Sequence, residues 1–145
     1  MLDAVAYAGI LDGLGRYDES EPIYRRALEI FEQEFGPEHY EVAAVLHNLA
    51  AVLDAHGRPH EAERSYRRAL AIKETLLGAE TPDAALTRNN LGRLLTRVGR
   101  PGEAVPLLEV AVAILEKRLT PEHPHSNSAR ENLRQAVLAV AALNS

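Results

Sequence analysis

The fold of this chain is decided by residues 46–78, which read LHNLAAVLDAHGRPHEAERSYRRALAIKETLLG. The pentapeptide YRRAL at residues 66–70 also occurs at residues 24–28, 42 positions earlier. When residues 17–36 are aligned with residues 59–78, ten of the twenty positions are identical. A fixed period of this size is typical of a solenoid, in which one supersecondary unit stacks on copies of itself.

Each period contains two helical segments. Apolar residues recur at helical spacing from Leu49 to Leu53 and again from Ala62 to Ile72. Between them, Gly57 suits the end of one helix and Pro59 suits the first turn of the next. The pattern predicts seven helices, at about residues 2–15, 18–35, 40–56, 60–77, 82–98, 102–119 and 124–142.

The predicted fold is all-α, a right-handed α-solenoid of about three helical hairpins and a C-terminal capping helix. The repeats fall at about residues 1–36, 40–78 and 82–120, and the capping helix at residues 124–142 covers the last apolar face. We expect one domain over residues 1–145. Glycine within the first helix, at Gly9, is expected to let a neighbouring backbone approach closely.

Composition excludes several functions. The net charge is −5 and no basic run exceeds two residues, which argues against a nucleic-acid partner. The absence of cysteine excludes disulfides and thiolate chemistry. The longest apolar run, residues 136–143, is far too short to span a membrane, and no secretory signal opens the chain. We therefore expect a cytoplasmic protein without a membrane partner.

Several short motifs resemble the tetratricopeptide repeat. Residues 46–50 read Leu-His-Asn-Leu-Ala, and the helix that contains them is followed by Gly-Arg at residues 57–58. The next helix opens with Glu-Ala-Glu at residues 61–63, continues into the YRRAL segment and closes with Leu-Gly. The 42-residue period is similar to that of kinesin light chains. The resemblance covers nearly the whole chain. It is weakest at residues 105–110 and at Ala6, which stands where the family has asparagine.

No catalytic, metal or cofactor site is expected. Gly9, Gly13 and Gly15 are not followed by Lys-Ser or Lys-Thr, as a phosphate-binding loop requires. His56 and His60 lie on either side of the Gly57 break and so do not share the helix face that a zinc pair needs. The tetratricopeptide resemblance likewise implies a non-catalytic module.

The resemblance implies that the first helices of successive repeats line a concave groove that binds a peptide. Asparagine recurs at the matching positions Asn48, Asn90 and Asn132, and its amide can pair with any peptide backbone. On a helical wheel, Arg93 and Arg97 share the face of Asn90 and suit a carboxylate. The candidate peptide-binding residues are His47, Asn48, Asn89, Asn90, Arg93, Arg97 and Asn132, and the expected ligand is an acidic segment with apolar residues.

An alternative is a self-assembling scaffold. Residues 1–14 carry only Asp3 and Asp12 as charges, and residues 133–143 carry only Arg134. Helices that are apolar nearly all round are usually buried, so a homodimer through the terminal helices is the second hypothesis. The partner's identity, the oligomeric state and whether the chain belongs to a longer array stay open.

Overall fold

The computed structural model describes residues 2–145, the side chain of Leu2 excepted, and over that range it contains seven α-helices and no strand. The chain divides into two compact units, the first ending at Leu76 and the second running from Leu77 to Ser145. Each predicted helix is confirmed, with bounds within two residues of the predicted ones. A single domain over residues 1–145 stays a prediction. The helices are α1 (Leu2–Gly13), α2 (Tyr17–Phe35), α3 (Tyr40–Ala55), α4 (Pro59–Leu77), α5 (Pro82–Arg97), α6 (Pro101–Arg118) and α7 (Pro124–Leu143).

The same turn ends α1, α3 and α5. After α3, the N–H of Arg58 donates to the carbonyl of Leu53 at 2.9 Å and the N–H of Gly57 donates to that of Asp54 at 3.1 Å. This pair of bonds is the Schellman motif, and Gly57 takes the positive φ of 75° that the motif requires. Equivalent bonds and positive φ values occur at Gly15 and Gly99. The 42-residue period therefore repeats a backbone geometry.

The helices α3, α5 and α7 begin with a side-chain cap at positions that are also one period apart. The Oγ1 of Thr81 accepts from the N–H of Ala84 at 3.2 Å. The Nδ1 atoms of His39 and His123 accept from the N–H groups two residues later, at 3.1 and 3.0 Å. Each cap satisfies an N–H that has no partner within the helix. His39 and His123 therefore cap the first turns of α3 and α7.

In the first unit, α1, α2 and α3 pack against one another. Their contact buries Leu11, Tyr24 and Leu49 among other apolar residues, and this burial drives the packing. The helix α4 is linked to α2 by ion pairs that join Arg25 to Glu61 at 3.2 Å and Arg68 to Glu32 at 3.2 Å.

In the second unit, α5, α6 and α7 pack against one another around a core of Ala85, Ala111, Ile114, Leu115 and Ala129. A Cβ added at Gly92 would lie 2.5 Å from the Cγ of Leu108, so α5 and α6 meet where a methyl group has no room. A Cβ added at Gly9 would have the Tyr24 hydroxyl as its nearest neighbour outside its own helix turn, at 4.0 Å. The expectation for Gly9 was therefore wrong, because that position contacts no neighbouring backbone among the described residues.

Candidate peptide-binding face

Two of the predicted site residues form the polar centre of the contact between α5 and α7. The Nδ2 of Asn132 donates to the Oδ1 of Asn89 at 2.8 Å, and the Nδ2 of Asn89 donates to the Oγ of Ser128 at 3.4 Å. Asn89 is only 5% exposed, so it orients Asn132 and does not offer a wide surface of its own. We name the surface around this contact, made by Asn89, Asn90, Arg93, Arg97, Ser128, Glu131 and Asn132, the α5–α7 face.

The α5–α7 face is basic along α5. Asn90 is half-buried, and Arg93 and Arg97 are exposed one helical turn apart. Across from them, Glu131 accepts from Arg134 at 2.8 Å and from Gln135 at 2.9 Å. Hydrogen bonds from Arg134 and then Gln135 lower the pKa of Glu131 to about 2. The carboxylate is therefore held on its own helix, and the arginines outnumber it on this surface.

His47 and Asn48 lie in the first unit, whereas the other five predicted residues lie in the second. Both are half-buried on α3. The ring of His47 meets the ring of Tyr66 edge-on, with centroids 5.5 Å apart. Since Tyr66 is fully buried on α4, this contact fixes the position of the imidazole beside Asn48.

The adjacent arginines of α2 (Arg25 and Arg26) and of α4 (Arg67 and Arg68) have carboxylate partners. Arg25 reaches Glu21 at 2.9 Å and Arg67 reaches Glu63 at 2.9 Å. Burial alone would raise the pKa of Glu21, but hydrogen bonds from Arg25 and His56 and the charge of Arg58 outweigh it and lower that pKa. The two arginines are nearly half exposed, whereas the side chains of Glu21 and Glu63 are 13% and 15% exposed.

Sequence reasoning missed two arrangements in the first unit. His56, at the end of α3, places Nε2 3.0 Å from a carboxylate oxygen of Asp18 and Nδ1 3.1 Å from one of Glu21. A cavity between α2 and α4 is lined in part by Arg64 and Ser65. The signal for the cavity was present in the repeat alignment, because these two positions differ from both other repeats.

Among residues 2–145, no three histidine or acidic side chains are grouped so that they could hold a metal ion. Of the helices in this described range, none combines the length and the apolar character needed to cross a bilayer.

Two family models match the chain, and both describe the tetratricopeptide repeat. One matches residues 4–75 and the other residues 84–125. The chain belongs to the tetratricopeptide repeat family. Among curated proteins, none matches the sequence of this tetratricopeptide repeat chain.

Solved structures with the same fold include repeats of kinesin light chain type. The nearly identical TPR-like repeats of a Podosopora anserina kinesin light chain superpose with a TM-score of 0.87 at 28% identity, over 96% of this chain and 66% of that one. A single-substitution variant of that protein gives the same values. BtubC (BKLC) from P. vanneervenii has a TM-score of 0.76 at 24% identity, over 98% of this chain and 63% of its own, and supports the fold alone.

These similarities confirm the all-α solenoid class and the kinesin-light-chain-like repeat type. The tetratricopeptide fold is typically a non-catalytic module, and proteins that contain it generally bind protein partners. The present chain spans slightly less than two thirds of each of the three related chains.

Proposed function

We propose that this tetratricopeptide repeat chain is a non-catalytic, cytoplasmic module whose α5–α7 face binds an acidic protein segment that also carries apolar residues. The observation that carries the proposal is the hydrogen bond from Asn132 to Asn89, next to the exposed Arg93. This bond joins α5 to α7, so the amide of Asn132 on α7 lies on the same surface as the amide and guanidinium groups of α5.

The chemistry of the face selects the ligand. An amide has two donor hydrogens and an acceptor oxygen, so Asn90 and Asn132 suit a peptide backbone regardless of its side chains. Arg93 and Arg97 each present a planar fork that matches a carboxylate. In the first unit, His47 and Asn48 offer a second pairing position on α3, with the imidazole held against Tyr66. Binding through exposed charges should weaken as salt is added.

The test is fluorescence anisotropy of a short labelled peptide in which glutamate alternates with leucine. We expect R93E/R97E to weaken binding at least about tenfold, the equivalent of 1.4 kcal/mol, with an unchanged melting temperature. The matched control is R26E/R67E, which makes the same change in charge on exposed positions of α2 and α4. It should bind like the parent.

Equal binding by R93E/R97E and the parent would show that the peptide binds elsewhere. Equal weakening by both double variants would show that net charge alone attracts the peptide. Either result removes the α5–α7 face as the site.

A self-assembling scaffold is the second candidate, favoured by apolar side chains on both terminal helices. Ile10 on α1 is 63% exposed and Leu14, directly after α1, is 64% exposed, and on α7, Leu138 is 51% and Leu143 68% exposed. Large exposed apolar patches mark association sites. Met1 and the side chain of Leu2, which the hypothesis also includes, lie outside the described residues. Light scattering should give a dimer mass that L138E returns to the monomer mass, and a parent that is monomeric at high concentration would refute this candidate.

A further inference from the structure

The helix α7 exposes a face that the matching helices of the other repeats bury. The repeat period places Val137 at the position of Leu11 in α1, Leu53 in α3 and Leu95 in α5. These three leucines are at most 1% exposed, whereas Val137 is 49% exposed. The helix α5 packs against α6, but within residues 2–145 no second helix follows α7. The face of α7 around Val137 is therefore open in the part of the chain that the structure describes.

The sequence of α7 departs from the repeat at the place where a hairpin turn would form. The turns after α1, α3 and α5 are formed by Gly-Arg pairs, at residues 15–16, 57–58 and 99–100. The matching positions of α7 hold Ala141 and Ala142, and both lie within the helix, which continues to Leu143. Alanine does not readily take the positive φ of a Schellman turn. A following helix therefore cannot fold back on α7 by the turn that the other repeats use.

A second departure changes what can pack on α7. The exposed Arg134 stands at the position of Ala8 in α1, Ala50 in α3 and Gly92 in α5. At Gly92, α6 approaches so closely that not even a methyl group has room. An arginine excludes such an approach at this place. A helix that covers α7 must therefore contact its C-terminal half, beyond Arg134.

The C-terminal half of α7 presents an apolar surface. Leu138 is 51% exposed, and no charged residue follows Arg134 in the sequence. We name the exposed residues Val137, Leu138, Ala141 and Ala142 the α7 stripe. Because the stripe carries no charge, covering it takes no charged group out of water.

The α7 stripe resembles the surface by which α6 packs in its hairpin. Leu138 and Ala141 lie three positions apart, as do Leu108 and Ala111, which are fully buried in α6. Residues with this spacing lie on one side of a helix. One copy of α7 therefore offers another copy the same kind of side chains that α6 brings into its hairpin.

We propose that α7 packs antiparallel against α7 of a second copy of the chain, with Leu138 near the twofold axis. The proposal rests on the second candidate function, self-assembly, and assigns the contact to α7 and not to α1. Each α7 would take the place that a second helix has in the other hairpins.

The charge at Arg134 favours the antiparallel orientation. Parallel pairing would place the two Arg134 side chains next to each other. Antiparallel pairing about Leu138 separates them by about 12 Å along the helix axis. Each arginine then lies near the last carbonyls of the other α7, a helix whose last turn has no basic residue of its own.

The test is oxidative cross-linking of single-cysteine variants of the full chain, which has no cysteine. Two copies of L138C meet near the twofold axis, so a disulfide dimer should form at least about tenfold faster than in the controls. The first control, I10C, places the cysteine on the exposed surface of α1. The second, E131C, lies two turns before Leu138 on the same side of α7, and antiparallel pairing holds its two copies about 21 Å apart.

Two further measurements separate the possible reasons for failure. Circular dichroism should show that each cysteine variant is folded, since all three positions are exposed. Adding R93E/R97E to L138C alters the α5–α7 face and should leave the cross-linking rate unchanged. This test and that of peptide binding therefore fail independently.

Equal rates for L138C and I10C, or a faster rate for I10C, would overturn the assignment to α7, and light scattering that still gave a dimer would leave self-assembly standing. Equally fast cross-linking by E131C and L138C would show a parallel pair and contradict the proposed geometry. A synthetic peptide of residues 101–119 tests the other occupant. If it shifts the methyl NMR signals of Val137 and Leu138 while L138C stays monomeric, a helix of the α6 kind covers α7 and the proposal is wrong.

Discussion

The hairpins α1–α2 and α5–α6 fill the same place in the repeat in different ways. In α2 the place is taken by Tyr24, which is buried and whose hydroxyl donates to Asp12 at 2.6 Å. Two periods later α6 has Leu108, which packs on Gly92 with no room for a methyl group. The position of Asp12 becomes Thr96, whose hydroxyl donates to the carbonyl of Gly92 within its own helix at 2.9 Å.

The difference shows that the repeat requires a filled contact between its two helices and not a particular residue. A tyrosine reaches across the contact and ends in a hydrogen bond to the facing helix. A leucine is shorter, so α5 has to approach more closely, and glycine at position 92 permits this. One hairpin thus relies on a polar bond at its contact, and the other on close packing.

The largest effects are expected at the close-packed contact between α5 and α6. G92A should destabilise the protein by about 1–3 kcal/mol, since the new Cβ meets the side chain of Leu108 and overpacking costs about this much. Urea denaturation measures the change. G102A is the control, because Gly102 lies exposed in α6 with nothing within 4 Å of its added Cβ and should gain up to about 1 kcal/mol in helix propensity.

The double variant G92A/L108A sharpens this prediction. Truncating Leu108 alone leaves a cavity and should cost about 2–5 kcal/mol. When Leu108 is truncated, the methyl group that G92A adds has space, so the destabilisation caused by G92A should vanish. Additive penalties would mean that the two residues do not share one contact.

A smaller effect is expected at the polar contact. Y24F removes the hydroxyl that donates to Asp12, and its cost should be about 1 kcal/mol, the usual net value of a hydrogen bond. Y7F is the control, because Tyr7 is exposed on α1. Equal stability of Y24F and the parent would show that water replaces the phenol at no cost, and the contrast between the hairpins would then rest on packing alone.

Local signals predicted the helices well. The segment Gly57-Arg58-Pro59 specifies a helix end and a helix start by backbone preferences that act within a few residues, so its geometry could be inferred from the sequence. The bond between Asn89 and Asn132 joins residues 43 positions apart, and only the packing of α5 on α7 creates it. Gly9 and Gly92 show the same limit, because a glycine within a helix does not reveal what faces it.

The candidate site stays a prediction, and the structure adds contacts within it that the sequence did not reveal. The period placed Asn90 and Asn132 at matching positions, but it did not show that Asn89 is buried and holds Asn132. Arg64 and Ser65 differ from the residues at the matching positions of the other repeats, but the cavity they line depends on the separation of α2 from α4. Such separations follow from the packing of side chains far apart in sequence.

The smallest effect is expected at the carboxylate of the α5–α7 face. Since the pKa of Glu131 is lowered to about 2 by hydrogen bonds from Arg134 and Gln135, its contribution to stability is present above the unfolded pKa. That contribution is lost as the pH falls through the folded value. An NMR titration should give a midpoint near 2. R134Q should move it toward about 4.3, the value of a free glutamate, and an unmoved midpoint would refute the role of Arg134.

The most direct test of the central claim is to locate a bound acidic peptide on the full chain by NMR. The peptide that alternates glutamate with leucine is added to the isotope-labelled protein, and the shifted side-chain signals are assigned. Our account predicts the largest shifts at the amides of Asn90 and Asn132 and at the guanidinium groups of Arg93 and Arg97. Shifts confined to α2, α4 or α6, with these four side chains unaffected, would contradict it.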